Sequence, residues 1–401
     1  MKNRLIILTR RFPYYKTEAF LETELPVIAK VFNEIIIYPS ESGNTVRHVP
    51  ENVVIDLSFA DQYKKKKIRS LNTVFSSFFW IQLFKDMLRG GLNFSYIFIF
   101  SSRVLAYMKF FKKNESAFKN AVVYSYWLNE TPLAFAYVRK KMKINSVLIS
   151  RAHRFDVYEE GTSHVPIWPE RKFLLENIDK VYVISKNAKI YLDKLYNSDD
   201  KTVVAKLGVF DRQTISKASE TGVFHVVSVS RMDPVKRLDL ILNCLENFAQ
   251  KMNHINVIWT HFGDGVLFND LRDKSLKINS KNLKIKLMGA VENKMIYEFY
   301  KETAVDCFIN LSSSEGIPVS IMEAQSFGIP AIATNVGGTS EIVTEGNGIL
   351  LKANPTVEEV SGALIILYNQ QPDRKLIKES WNSNYNAEIN YRHFANELLK
   401  L

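Results

Sequence analysis

Two glutamates eight residues apart, Glu315 and Glu323, lie in the stretch NLSSSEGIPVSIMEAQSFGIPAIATNVGG, residues 310–338. Carboxylates accept hydrogen bonds from hydroxyls. The stretch follows the apolar run Val305–Ile309, and Glu315 and Gly316 fall in the loop after it. A helix-like run then carries Glu323. Pro330 to Ala333 reads as a buried strand, and Gly337-Gly338 as a tight turn. Strand, loop, helix, strand is a βαβ unit whose loop faces a ligand. Pro318 is expected in the first helical turn, where its missing N–H costs nothing. Such a helix start leaves unpaired backbone N–H groups beside a glycine, which is a natural anion site. An anion cradle flanked by hydroxyl acceptors suits a nucleotide sugar, with its diphosphate, ribose and hexose. Two glutamates alone would be an ordinary exposed helix pair; the surrounding pattern gives them meaning.

Cations follow an earlier strand. Phe224–Ser230 reads as a buried parallel strand, and Arg231 and Lys236 come directly after it. Two cations at a strand end can neutralise a diphosphate as charge builds on a departing nucleotide. Alone, they would be a solvated basic turn. Another strand, Ser146–Ser150, runs into Arg151-Ala-His153-Arg154-Phe155-Asp156. An imidazole at a strand's C-terminal end can hydrogen-bond a sugar hydroxyl or a leaving phosphate. A lone histidine is more often structural.

Glu315, Gly316, Pro318, Glu323 and Ala324 together resemble the E-x7-E signature of retaining, GT-B-fold glycosyltransferases of family 4, the "group 1" type. Arg231 and Lys236 are similar to that family's S-R-x-x-x-x-K pattern, and His153 and Asp156 to its H-G-x-D strand end, with Arg154 in place of the glycine. The resemblance implies roles. Arg231 and Lys236 act as electrophilic catalysts in place of a metal, since no D-x-D motif stands at a strand end. Glu315 holds donor sugar hydroxyls, and Glu323 holds the ribose. Backbone around Gly316, Ile317, Pro318 and Val319 meets phosphate or sugar. Gly263 and Gly265 lie near the nucleotide, and Ala290 and Val291 meet the base. His153 lines the reaction centre, with Asp156, Arg154 and Glu18 on the acceptor side. The loop after the first strand also offers Lys16, but it lacks the glycines that many members carry there.

These residues need positioning elements. Strands are expected at Arg4–Thr9, Glu34–Pro39, Ala121–Leu128, Lys180–Ser185, Thr202–Leu207, Asn256–Phe262 and Lys284–Leu287, with helices between them. Thr17 is an expected N-cap. Strand–helix alternation in both halves gives an α/β class with two Rossmann-like domains facing across a cleft, the GT-B arrangement. The expected divisions are residues 1–208, a linker at 209–222, a nucleotide-sugar domain at 223–375, and a helical segment at 376–401 crossing back to the first domain. The resemblance is strong from Ser228 to Leu351, moderate from Ala121 to Leu207, and thin from Pro39 to Asn120.

Composition bounds the partners. The chain has 401 residues, too many for one ordinary core, and a net charge of +11. Cys244 and Cys307 read as reduced core residues of a cytosolic protein. The charge excess concentrates at residues 59–118, in a lysine run at 64–67 and cations between Arg69 and Lys119, interleaved with Phe75, Phe79, Trp80, Phe84 and other aromatics. Such a segment suits an anionic membrane surface, or else a helix pair with a buried aromatic face and a solvated basic one. No nucleic-acid module surrounds it, so nucleic acid is not an expected partner. The expected enzyme moves a hexose-type sugar from a UDP- or GDP-linked donor to a lipid-linked or polysaccharide acceptor, at the cytoplasmic membrane face, with no cofactor beyond that substrate. A GT-B nucleotide-sugar epimerase and a catalytically silent sugar-binding protein are the alternatives.

Overall fold

A computed structural model of the chain describes residues 4–15, 17–64, 66–91, 93–159 and 168–401. Lys16 and Lys65, named above, lie outside the described residues. The chain divides into two compact units, Met1–Lys206 with Tyr391–Leu401, and Leu207–Asn390.

The first unit is built on a seven-stranded parallel sheet. Its strands are β1 (Arg4–Thr9), β2 (Glu34–Pro39), β3 (Val53–Ile55), β4 (Val122–Ser125), β5 (Val147–Ala152), β6 (Lys180–Val183) and β7 (Thr202–Val204). The order is β3-β2-β1-β4-β5-β6-β7. Runs such as Leu5-Ile-Ile-Leu8 are apolar at every position because helices cover both faces of a parallel sheet. One face packs Phe59, Phe100, Val104, Phe110 and Phe135; the other packs Phe12, Leu25, Phe32, Tyr124 and Phe394. Arg151 and Glu24, both fully buried, form an ion pair at 2.8 Å on that second face. Tyr124 donates its hydroxyl to Glu24 at 2.6 Å, and the Arg151 guanidinium also lies 4.5 Å from the Phe394 ring.

The second unit has a six-stranded parallel sheet, ordered β10-β9-β8-β11-β12-β13. Its strands are β8 (Val223–Val229), β9 (Asn256–Phe262), β10 (Leu283–Leu287), β11 (Cys307–Asn310), β12 (Ala331–Thr334) and β13 (Gly348–Leu351). Trp259, Leu245, Phe248, Ile309 and Leu364 anchor its core, with both cysteines buried and unbonded.

Strand order fixes where ligands can bind. In each sheet a central pair joins strands whose following connections run to opposite sides, and the crevice at the strands' C-terminal ends opens there. In the second unit the pair is β8 and β11. In the first it is β1 and β4.

Several local expectations shift. Thr17 does not cap a helix: the helix runs Phe20–Ile28 with Ala19 at its N-cap, and Glu18 before it holds φ +56°. Pro318 occupies the N-cap itself, in extended backbone, with the helix Val319–Ser326 following. Residues 209–222 pack with the second unit, where Ser216 N donates to Phe327 O at 2.9 Å. The helix Arg374–Tyr385 also belongs to that unit, and residues 391–401 belong to the first. Gly208 is closely approached, since a Cβ there would meet the Ala387 backbone at 2.6 Å.

Candidate active site

The donor-side residues gather at the β8/β11 switch point. The connection leaving β8 carries Arg231 and ends in a short 3-10 turn, Pro234–Lys236. The loop leaving β11 carries Ser312 to Gly316. Cross-bonds stitch the two together: Ser313 N donates to Val235 O at 2.8 Å, and Arg237 reaches across to Ser312 O at 2.9 Å and Ala353 O at 2.8 Å. Arg237 also donates from Nε to Leu311 O. Through these bonds Arg237, itself at φ +49°, braces the spacing of the loops.

Within that frame Lys236 Nζ donates to Glu315 Oε1 at 2.6 Å, and Asn310 Nδ2 donates to the same oxygen at 3.2 Å. The pair is largely shielded from solvent. An ammonium and a carboxylate held this close present both signs of charge to one ligand: a cation for phosphate and acceptor oxygens for hydroxyls. Gly337 holds the loop from behind. At φ +55° it lets its backbone pass so close that a Cβ would lie 2.0 Å from Glu315 O, and Gly338 N donates to Gly316 O at 2.7 Å. Ile317 and Pro318 are buried beneath the loop, and the helix from Val319 presents first-turn N–H groups that have no carbonyl four residues back.

Glu323, on that helix, is almost wholly buried and does not touch Glu315. Tyr297 donates to its Oε1 at 2.7 Å and Asn293 Nδ2 at 3.3 Å. Burial pushes its carboxyl up to about 7, against the pull of the Tyr297 hydrogen bond and of Arg212. The Arg212 guanidinium lies 4.5 Å from the Tyr297 ring. Arg231 is exposed and turned onto Asp233 at 3.0 Å, apart from the Lys236–Glu315 pair.

Gly263 and Gly265 are packing glycines. A Cβ on Gly263, at φ +138°, would meet Ser230 O at 1.8 Å, and one on Gly265 would meet Met232 O at 2.7 Å. They let the turn after β9 press against the connection that carries Arg231. Gly263 N also donates to Gly289 O at 2.8 Å, which brings the exposed Ala290 and half-buried Val291 to the same sheet edge.

In the first unit, the β1/β4 switch point carries a cavity of ≈ 270 Å³ lined by Arg10, Arg11, Glu18, Trp127, Phe155 and Asp156 among others. Glu18 is committed to its own loop. It accepts from the backbone N–H groups of Arg10 at 2.9 Å, Arg11 at 2.7 Å and Phe12 at 2.6 Å, and from Trp127 Nε1 at 2.8 Å. Asp156 is likewise internal. It accepts from Leu128 N at 2.7 Å and His153 N at 2.5 Å, and burial pushes its carboxyl up to about 7. Arg171 clamps the same corner through Leu128 O and Asp156 O. Arg154, where the resemblance would have glycine, begins the short helix after His153.

His153 differs. Its ring packs 4.7 Å from Tyr126 and 4.9 Å from Trp127, and burial pushes its pKa down to about 3 with Arg151 adding to the shift. It is a neutral imidazole, so it can offer one donor and one acceptor but no charge. Its ring faces the Asp156 N–H at the start of the short helix, but neither ring nitrogen completes a well-formed hydrogen bond among the described residues. A buried polar group left so costs roughly 1–3 kcal/mol unless something binds it.

Sequence reading missed Asn310, Tyr297, Asn293 and Arg212, which hold the two glutamates, and Arg237, Trp127 and Arg171, which hold the loops. Only Asn310, a polar residue closing an apolar strand, carried a local signal.

Residues 210–382 match the family described as glycosyl transferases group 1. Among relatives, the O-antigen biosynthesis glycosyltransferase WbnH of Escherichia coli is 27% identical over 183 residues, covering 42% of this chain and 49% of that protein. The chain thus spans about half the length of such relatives. The UDP-Gal:alpha-D-GlcNAc-diphosphoundecaprenol alpha-1,3-galactosyltransferase of Escherichia coli is 38% identical over 93 residues, 23% of each chain. Among solved structures, the apo form of the lipopolysaccharide outer core galactosyltransferase WaaB superposes with a TM-score of 0.69 at 15% identity, over 99% of this chain and 100% of that one. The fold is therefore that of the GT-B glycosyltransferases, and residues 210–382 are similar to the glycosyl transferases group 1 family.

Proposed function

We propose that the chain is a retaining glycosyltransferase that moves a hexose-type sugar from a UDP- or GDP-linked donor to a lipid-linked glycan in bacterial surface-polysaccharide synthesis. The observation that carries the reading is the Lys236–Glu315 pair at the β8/β11 switch point, beside the helix that holds Glu323. Relatives named for O-antigen biosynthesis and for a diphosphoundecaprenol acceptor support the acceptor class.

In the proposed reaction the acceptor hydroxyl forms a bond to the anomeric carbon as the bond from that carbon to phosphate breaks. The electron pair leaves with the nucleoside diphosphate, and a phosphate oxygen takes the acceptor's proton. Attack from the leaving-group side retains configuration. Charge grows on the diphosphate, so cations placed there stabilise the transition state more than the ground state. Lys236 and, after leaving Asp233, Arg231 fill the role a metal would otherwise take. Glu315 accepts from sugar hydroxyls and Glu323 from the ribose. Backbone from Gly316 to Val319 meets phosphate or sugar, and Ala290 and Val291 meet the base. The first unit supplies the acceptor side: Arg10 and Arg11, once they leave Glu41, suit an acceptor diphosphate, and His153 offers its neutral ring to a hydroxyl. No cofactor beyond the nucleotide sugar is needed. A lipid-linked acceptor puts the work at the cytoplasmic face of a membrane.

Incubation with UDP-, GDP- and ADP-sugars, with and without a polyprenyl-diphosphate glycan and with a chelator present, tests the proposal. Transfer with the donor's anomeric configuration kept is expected. Nucleotide binding with neither hydrolysis nor transfer would overturn it, and epimerised donor would point to a different enzyme.

A further inference from the structure

The basic, aromatic segment holds three longer helices, α1 (Lys66–Val74), α2 (Ser77–Leu88) and α3 (Phe94–Lys113), between the short helices Ser58–Tyr63 and Glu115–Phe118. They do different things. Helix α3 goes into the core, burying Ile97, Phe100, Val104, Tyr107, Phe110 and Phe111. Helices α1 and α2 pack on α3 and turn much of their apolar surface outward. Phe75 is 81% exposed, Leu88 71%, and Leu71 and Phe84 61% each, with Ile68, Trp80, Ile81 and Met87 also exposed. Spacing makes this a surface rather than a scatter. Ile68 and Leu71 lie three apart, and Ile81, Phe84 and Leu88 lie three and four apart, so each set shares one helix face. Phe75, in the turn between the helices, joins the two sets. The crest is held in shape by Trp80 Nε1, which donates to Val74 O at 2.8 Å, and by Phe79, whose ring packs beneath against Phe94 and Phe98.

A patch of this kind marks an interaction site. Charge names the occupant. From residue 66 to 89 the chain carries Lys66, Lys67, Arg69, Lys85 and Arg89 against Asp86 alone; Lys85 is turned onto Glu170 and Arg69 onto Tyr63, so Lys66, Lys67 and Arg89 are the cations of the exposed margin. An apolar, aromatic crest with a cationic margin matches the boundary between acyl chains and anionic headgroups. No described helix is long and apolar enough to cross a membrane, so contact here means lying on the surface.

We propose that the α1–α2 crest, with Phe75, Phe84 and Leu88 at its apolar centre and Lys66 and Lys67 at its margin, docks this chain on an anionic lipid bilayer. The inference deepens the membrane part of the proposed function and is independent of the transferase part. Flotation of the full chain, without nucleotide sugar, tests it on phosphatidylcholine vesicles with and without about 30% phosphatidylglycerol, at low and high salt. Binding is expected on the anionic vesicles only, and it should weaken with salt. Lys66→Gln/Lys67→Gln should weaken it by about 25-fold, roughly fivefold for each cation near an anionic surface. Phe84→Ser/Leu88→Ser should weaken it at least about tenfold. Because these side chains point outward, circular dichroism and the melting temperature should stay at wild-type values. Three results would overturn the proposal: no vesicle binding, equal binding to neutral and anionic vesicles, or binding that both variants leave intact. A dimer in sedimentation that Phe84→Ser/Leu88→Ser dissolves, with no vesicle binding, would assign the crest to a second copy of this chain. Failure in any of these forms leaves sugar transfer untouched.

Discussion

Replacing Tyr297 by Phe tests whether Glu323 works as a carboxylate. Burial holds its carboxyl up at about 7, and the Tyr297 hydroxyl, 2.7 Å away, pulls the other way. A hydrogen bond to a charged group is worth about 1.5–3 kcal/mol, so losing this one should raise the titration midpoint by about one to two pH units. A ribose that donates to the carboxylate selects its ionised form, and the apparent dissociation constant then scales with one plus the ratio of protonated to ionised Glu323. At pH 7.5 that factor is about 1.3 for the native chain and about 4 to 33 for the variant, an affinity loss of about 3- to 25-fold. At pH 9.5 both forms are largely ionised and the two affinities should agree within about 1.3-fold. Titration calorimetry with UDP and GDP across this range reads the ratio directly. Repeating it in buffers of different ionisation enthalpy should show about 0.9 proton released on binding at pH 6 and about 0.1 at pH 8 in the native chain. A Tyr297→Phe penalty of the same size at pH 7.5 and 9.5 would show a lost contact and not a titration. Absence of proton release at pH 6 would refute the assignment of Glu323 to the ligand.

Lys236→Ala should lower turnover by about 100- to 1,000-fold with the fold intact, because in the proposed mechanism the cation acts where leaving-group charge develops; turnover within twofold of the native rate would remove it from the mechanism. Gly337→Ala forces a Cβ to within 2.0 Å of Glu315 O at φ +55°. Calorimetry should show the second unit destabilised by about 1–3 kcal/mol, together with weaker nucleotide binding. Arg151→Ala strands the buried Glu24 carboxylate and should cost the first unit about 3–5 kcal/mol, most of it recovered in Glu24→Gln/Arg151→Met. An undiminished melting temperature in Arg151→Ala would show the pair to be solvated.

The candidate donor-side motif is visible in the sequence because its residues are local. Glu315, Gly316 and Glu323 lie within nine residues of one another, and a strand–loop–helix pattern fixes which way that loop faces. What holds these groups comes from far along the chain. Lys236 meets Glu315 across 79 residues and Tyr297 meets Glu323 across 26, and only strand order brings β8 beside β11. No periodicity reports that. Glu18 and Asp156 have bonds of a kind the sequence does not report. Each is a carboxylate at the right place in the chain, but nearby backbone N–H groups take its oxygens, and such pairing is invisible until the loop's path is known. At Gly263 and Gly265 the sequence left a turn role and a nucleotide contact equally open, and the structure shows that their missing side chains make room for the Ser230 and Met232 backbone.

The basic, aromatic segment shows the limit most sharply. Periodicity states that α2 has two faces but not which of them is buried. The inner face carries Phe78, Phe79, Gln82 and Leu83, and the outer Trp80, Ile81, Phe84 and Leu88. Both are apolar, so hydrophobicity does not choose between them. The first goes inside, where Phe78 packs on Phe100 and Tyr137. Gln82 on the inner face is also satisfied, donating to Glu170 at 2.8 Å, and Lys85 reaches the same carboxylate. A helix with apolar residues on both faces has one more apolar face than a solvated surface helix needs. That α2 keeps an apolar face outward, with lysines and arginines at the margin, is the physical ground for assigning this face a lipid partner.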